Sequence, residues 1–224
     1  MPIPELMAGW QRFRAGRFRE QRALFDRIAR EGQRPNVAMI ACSDSRVDPA
    51  IVFDCDPGDL FLVRNVANLV PPYEQSGNYH GTSAAIEFAV RVLAVNDIVV
   101  LGHTQCGGIR ALLEGAPLAG EPMPFLTRWM TLAEEARVAA LTAHGLPPEE
   151  RAALCGRLAV RVSIRNLLTF PALRESVAKG ALRLHGWCFD LKDGVLTVLD
   201  DAANRFVPVG GPAGDGDRAH EAAS

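Results

Sequence analysis

Apolar residues recur along this chain in two alternating periods. Over positions 1–30, Leu6, Trp10, Phe13, Leu24, Phe25 and Ile28 stand at helical spacing among arginine and glutamate, which predicts an amphipathic helix broken near Gly16. Such a segment either faces its own core or packs on a partner subunit, and the pattern leaves both open. Short apolar runs then predict buried strands at 37–41, after Pro35-Asn36, at 60–63, after Asp56-Pro57-Gly58-Asp59, and at 97–101. Positions 65–80 read as loop. Helical spacing covers 82–94, a short stretch after Gly107-Gly108, 125–143, 149–169 and 171–179, with a Pro- and Gly-rich interval at 115–124. Runs at 182–189 and 195–199 flank Asp193-Gly194, a hairpin signal. Strands alternating with helices predict an α/β fold with a mainly parallel central sheet flanked by helices. One domain is expected over 1–207, with 1–31 as a helical arm and 208–224, poor in apolar residues, as a disordered tail.

Composition narrows the partners. The chain has 224 residues, 48% of them hydrophobic and 22% charged, with a formal net charge of −2. That suffices for a sizeable core and offers no basic field for nucleic acid. Arg12, Arg14 and Arg17 interrupt any signal-peptide-like run, and no window approaches the roughly 20 apolar residues of a membrane span. A soluble, cytoplasmic protein acting on a small molecule is the expectation. Cys42, Cys55, Cys106, Cys155 and Cys188 are odd in number and sparse, which argues against a disulfide framework and for buried or ligating thiols.

Two clusters carry chemistry. Cys42-Ser43-Asp44-Ser45-Arg46 ends the first strand, where an extended chain would turn Cys42, Asp44 and Arg46 to one face, outside the carboxyl end of the sheet. Gly102-His103-Thr104-Gln105-Cys106-Gly107-Gly108 ends the third strand, and its glycines let backbone N–H groups face an anion. Either cluster alone has an ordinary packing explanation. Together they place two thiols and an imidazole at the same end of adjacent strands, a donor set suited to catalytic zinc. Two thiolates cancel the charge of the ion, so its bound water should ionise only at mildly alkaline pH. Asp44 then has two possible duties: a fourth ligand that blocks the site, or an acceptor paired with Arg46 that orients the bound hydroxide. Cys55, Cys155 and Cys188 read as packing residues, and His80, His144, His185 and His220 as loop, strand or tail histidines, of which His80 lies in the polar loop before a helix.

These segments, with Arg64-Asn65-Val66-Ala67-Asn68, Gly81-Thr82-Ser83-Ala84-Ala85-Ile86-Glu87, Asn166-Leu167-Leu168 and His185-Gly186-Trp187, resemble the β-class carbonic anhydrases in order from about Gln33 to Asp190. The resemblance implies a zinc enzyme, a lyase that reversibly hydrates carbon dioxide to bicarbonate and a proton by zinc-bound hydroxide. It further implies about four parallel strands plus an added C-terminal strand, and one zinc ion on Cys42, His103 and Cys106. Asp44 and Arg46 would be the catalytic dyad, with Asp44 a fourth ligand in a closed state. Gln33, Phe61, Val66, Phe88 and Gly107 would be pocket residues, Gln33 coming from a neighbouring subunit. A homodimer or homotetramer is implied, with the arm wrapping its neighbour.

The chain departs from the family in two places. Phe88 stands where the plant-like branch has a tyrosine, and cannot relay a proton. Met39 and Phe189 stand where the bicarbonate-inhibited branch has tryptophan and tyrosine around an arginine, here Arg64; this implies the plant-like branch and an open zinc site. The rival readings are a hydrolase of carbonyl sulfide or carbon disulfide on the same scaffold, and a non-catalytic zinc-binding interaction protein. A zinc alcohol dehydrogenase would need a glycine-rich dinucleotide fingerprint, which the chain lacks.

Overall fold

A computed structural model describes residues 1–76, 80–115 and 122–210. The N-terminal segment forms three helices, α1 (Ile3–Ala15), α2 (Arg17–Glu20) and α3 (Arg22–Glu31). The expected break at Gly16 is present, and a second falls at Gln21. There follow β1 (Val37–Cys42), α4 (Pro49–Val52), β2 (Leu60–Asn65), α5 (Gly81–Arg91) and β3 (Asp97–His103). Helices α6 (Gly107–Glu114), α7 (Pro124–Met130), α8 (Glu134–Thr142), α9 (Pro148–Leu167) and α10 (Pro171–Ala178) precede β4 (Arg183–Phe189), β5 (Leu196–Asp200) and β6 (Arg205–Pro208).

The strands form one sheet in the order β2-β1-β3-β4-β5-β6. The first four are mutually parallel, and β5 and β6 add on antiparallel. The Asp193-Gly194 hairpin joins β4 to β5: Gly194 takes a φ of +67°, which suits glycine, and its N–H donates to the Asp190 carbonyl. The sixth strand was not expected from the pattern; Pro208 pairs with Thr197 there, so ordered chain runs past 207. The expected disorder of the tail falls, from residue 211 on, outside the described residues. The helical run expected over 125–143 is divided into α7, a 3₁₀ turn at Thr131–Ala133 and α8. Helix α4 was too short to show a period.

Strands β1 and β3 are buried on both faces, which is why they read as continuous apolar runs. On one face Ala38, Ile40, Ile98 and Val100 pack with residues of α5, α9 and α10. On the other, Met39, Ala41, Val99 and Leu101 pack with Val47, Phe53, Trp187 and Phe189. Helix α9 lies close on the sheet because two strand glycines make room for Val160. A Cβ at Gly102 would stand 2.8 Å from Val160 Cγ2, and one at Gly186 3.0 Å from Val160 Cγ1. Gly102 immediately precedes His103 at the carboxyl end of β3. Helices α1 to α3 bury no residue in this chain and are tied to it by Arg17 and Gln21 donating to Asp56. Among the described residues, no helix is long and apolar enough to cross a membrane.

Candidate metal centre

The parallel pairing of β1 with β3 brings their carboxyl ends side by side, Ala41 opposite Leu101, so Cys42 and His103 emerge together. Three residues on, Cys106 caps α6. The intervening turn is tight enough to hold Gln105 at φ +57°, a left-handed conformation that costs a non-glycine residue about 1 kcal/mol or more. The result is a compact set of donors. The Cys42 and Cys106 sulfurs are 3.8 Å apart, and both lie within 4.8 Å of a ring nitrogen of His103. All three residues are buried, and no other such group of three occurs among the described residues.

The donor set fits a cation. His103 Nδ1 lies 2.8 Å from the Thr104 carbonyl, which can only accept, so Nδ1 carries the proton and Nε2 a lone pair. Nε2 is fully buried and has no hydrogen-bond partner among the described residues. An orphaned acceptor beside two sulfurs is costly in a protein interior and is satisfied by a soft divalent metal such as zinc. Thr104 is itself held: its N–H donates to the Phe189 carbonyl and its Oγ1 accepts from Leu191 N, so the C-terminal end of β4 orients the imidazole. The sulfurs are electrostatically coupled. The Cys42 thiol is pushed down to about 4, first by the hydrogen bond from Cys106, against the opposing effect of burial. The same contact, with burial, pushes Cys106 up. Binding a soft cation here requires both thiols to give up their protons.

Asp44 stands beside this group, its Oδ2 4.0 Å from His103 Nε2, but it is turned onto Arg46. Arg46 Nε donates to Oδ1 at 2.9 Å and Nη2 to Oδ2 at 2.7 Å, a bidentate pair reinforced by Arg46 N to Oδ1 at 3.0 Å. Hydrogen bonding by Arg46 holds the Asp44 carboxyl well below the usual carboxylate range, against the opposing effect of burial. An extended chain would turn Cys42, Asp44 and Arg46 to one face. The structure brings the pair together differently, through a turn closed by Val47 N on the Asp44 carbonyl. Arg46 Nη2 also donates to the Gln105 carbonyl at 3.0 Å, so one guanidinium links both ligand-bearing loops.

The expected pocket residues separate into two groups. Gly107 heads α6 next to Cys106, and a Cβ there would meet nothing within 4 Å. Val66 lies against the same helix start, its Cγ1 2.9 Å from where a Cβ of Gly108 would stand. Gln33, exposed beyond α3, and Phe61 and Phe88 do not join them. Phe61 pairs with Ala38, four residues before the Asn65–Cys42 pair at the carboxyl end of β2 and β1, which puts it about 13 Å down the sheet. There it stacks on Phe88 with ring centroids 5.9 Å apart. His80 contacts the Ser76 carbonyl and lies outside the cluster.

Three residues support the site from outside the donor set, and of these only Trp129 stands in none of the segments singled out in the sequence. Trp129 Nε1 donates to the Val66 carbonyl at 2.8 Å. Asn65 accepts from Leu69 N and donates to the Leu69 carbonyl, closing a turn in which Ala67 and Asn68 both have positive φ. Arg64, read from sequence only as a remnant of an anion site, is committed internally to Cys42 O, Asp44 O, Val47 O and the Asp48 carboxylate. Met39 is buried in the core and Phe189 packs against it. No local pattern announces these contacts, since every partner is brought in by the sheet or by a turn.

Residues 37–196 match the carbonic anhydrase family. A carbonic anhydrase of Pseudomonas aeruginosa is 39% identical over 210 residues, covering 91% of this chain and 90% of that protein. One of Synechocystis sp. is 35% identical over 206 residues, covering 92% and 74%. Among solved structures, the β-carbonic anhydrase CcaA superposes with a TM-score of 0.85 at 34% identity, covering 92% of each chain. A tetrameric β-carbonic anhydrase of Sordaria macrospora gives 0.76 at 28% identity, covering 93% of this chain and 96% of that one. The cysteine–histidine–cysteine cluster at the carboxyl edge of a parallel sheet and these matches agree: the chain belongs to the carbonic anhydrase family, in its β class.

Proposed function

We propose how this carbonic anhydrase divides the reversible hydration of carbon dioxide among its own residues: Cys42, His103 and Cys106 hold one zinc ion, and Asp44 and Arg46 form the catalytic dyad beside it. Zinc, when bound, would supply a Lewis acid that makes water a nucleophile at mildly alkaline pH. Asp44 accepts a hydrogen bond from the attacking water and so aims its lone pair at the substrate carbon. Arg46 keeps that carboxylate ionised and drawn away from the metal. The first N–H groups of α6, at Gly107, offer donors to the oxygen that becomes negative as bicarbonate forms, and Val66 supplies an apolar wall. The observation that carries this reading is the buried, unpartnered Nε2 of His103 facing two sulfurs, with the nearest carboxylate engaged by Arg46. Stopped-flow hydration from pH 6.5 to 9, with zinc measured on the same sample, tests it. About one zinc per chain with activity rising into the alkaline range is expected; full zinc without hydration at any pH would refute it. Turnover of carbonyl sulfide and carbon disulfide in the same assay separates the related hydrolase reading, and a non-catalytic zinc protein would turn over none of the three.

The same reading includes a homodimer or a tetramer built from dimers, in which the arm 1–31 packs on a second copy and Gln33 serves the partner's pocket. Its support is the row of exposed apolar side chains on α1, namely Ile3, Leu6, Met7, Trp10 and Phe13. The domain extends from residue 1 through β6, just beyond the expected limit of 207, and the compartment is the cytoplasm, in keeping with five free cysteines. The open state and insensitivity to bicarbonate belong to it as well, supported by the internal use of Arg64. Light scattering gives the assembly size, and cooperative inhibition by bicarbonate at pH 7.5 would count against the open state.

A further inference from the structure

We propose that Arg64 is a positioning residue for hydration, an internal brace that holds the turn 43–48 so that Asp44 meets Arg46 and not the metal; this rests on the reading of Asp44 given above. Arg64 stands next to last in β2, opposite Ala41 of β1, directly beneath the turn that leaves Cys42. Its guanidinium spreads along that turn. Nε donates to the Cys42 carbonyl at 3.0 Å, Nη2 to the Asp44 carbonyl at 2.7 Å and the Val47 carbonyl at 3.0 Å, and Nη1 to Asp48 Oδ2 at 3.0 Å. Asp48 is anchored in turn, its Oδ1 accepting from Ala50 N at 2.9 Å as the cap of α4. The acceptors therefore run from the first sulfur ligand to the start of the next helix, with Asp44 between them.

The two arginines divide the task. Arg46 is half exposed and grips the Asp44 carboxylate from the solvent side. Arg64 is partly buried and fixes the main chain below it. The carboxylate has little distance to travel if that hold loosens, since Oδ2 is already 4.0 Å from His103 Nε2. With its carbonyl pinned, Asp44 can reach toward the metal only by breaking the bidentate pair. Four of the five N–H groups of Arg64 are used within the chain, so the residue acts as a strut and not as a seat for a free anion. Lysine cannot do the same, because a compact ammonium does not fan over acceptors spread along a turn.

Arg64→Met, Arg64→Lys and the double variant Arg64→Met/Asp44→Asn test the brace, each loaded with cobalt for its visible spectrum and with zinc for hydration. Arg64→Met is expected to hold about one metal per chain, to show a cobalt spectrum altered by an arriving carboxylate, and to lose about 10- to 100-fold in kcat. Adding Asp44→Asn should restore the wild-type spectrum without restoring activity, and Arg64→Lys should lie between. A wild-type spectrum and kcat in Arg64→Met, or an altered spectrum that persists in the double variant, would overturn the proposal. Should Arg64→Met fail to fold, Arg64→Lys with and without Asp44→Asn carries the same comparison. The cobalt comparison decides the brace even if the wild type proves unable to hydrate carbon dioxide, an outcome that refutes the functional reading instead.

Discussion

Gly107 and Gly108 sit side by side in the first turn of α6, yet the structure assigns them opposite sensitivities. A methyl group at Gly108 would stand 2.9 Å from Val66 Cγ1 and 3.2 Å from Ala67 Cβ. Val66 is partly exposed and can turn away, but Ala67 is held at φ +63° in the turn that Asn65 closes, so the second contact has no cheap relief. At Gly107 the same methyl meets nothing within 4 Å. Neither glycine has positive φ, so alanine is conformationally acceptable at both, and the gain from lost unfolded-state freedom is about 0.4–1 kcal/mol in each. That gain cancels in the comparison and leaves the cost of overpacking, about 1–3 kcal/mol against Gly108→Ala. In a chain of this size each kcal/mol moves Tm by about 2–4 °C. Thermal melts of the two variants at one protein concentration, with zinc content and hydration on the same samples, read the difference. Gly107→Ala should melt at or above the wild type while losing kcat/KM, because its methyl enters the space beside the metal. Gly108→Ala should melt lower and release zinc faster, because Cys106 caps the helix that is displaced. Equal melting of the two variants would refute the packing argument, and full activity in Gly107→Ala would show that substrate does not use the space beside its Cα.

Asp44→Asn should keep about one zinc per chain while hydration falls by about 100-fold or more, as expected for loss of a positioned proton acceptor; loss of zinc instead would make Asp44 chiefly a ligand. Arg183 and His185 both donate to Asp97 at the amino ends of β3 and β4, and the Asp97 carboxyl is lowered to about 2, first by Arg183. A depressed folded-state pKa stabilises the fold above the ordinary carboxylate value and loses that contribution as pH falls from about 4 to about 2. Because Arg183 is exposed to solvent, the contribution is about 1 kcal/mol, and acid titration of Asp97→Asn beside the wild type should show that much less slope in this window. Trp129→Phe removes the donor to the Val66 carbonyl and should cost about 1 kcal/mol by urea unfolding, with a smaller loss of hydration than Gly107→Ala causes.

The α/β class, the three core strands, the hairpin and the membership of Cys42, His103 and Cys106 in one centre were legible in the residues themselves. Buried parallel strands must be continuously apolar, tight turns need their glycines, and a soft metal needs thiols and imidazole, so each leaves a local mark. Other features leave none. Whether Asp44 lies on Arg46 or turns to the metal depends on a turn and on an arginine from β2, 20 positions away in sequence at the Asp44 carbonyl. The pairing of β6 with β5 rests on a four-residue strand too short to show a period. The stack of Phe61 on Phe88 forms at the far end of β2 from the cysteines because register, set by Ala38 opposite Phe61, decides depth along a strand, and no spacing in the chain records it. Residue chemistry determined what this protein can bind; the parallel register and the braced turn decided which groups meet, because contacts between segments far apart in the chain exist only once the sheet has brought their ends together.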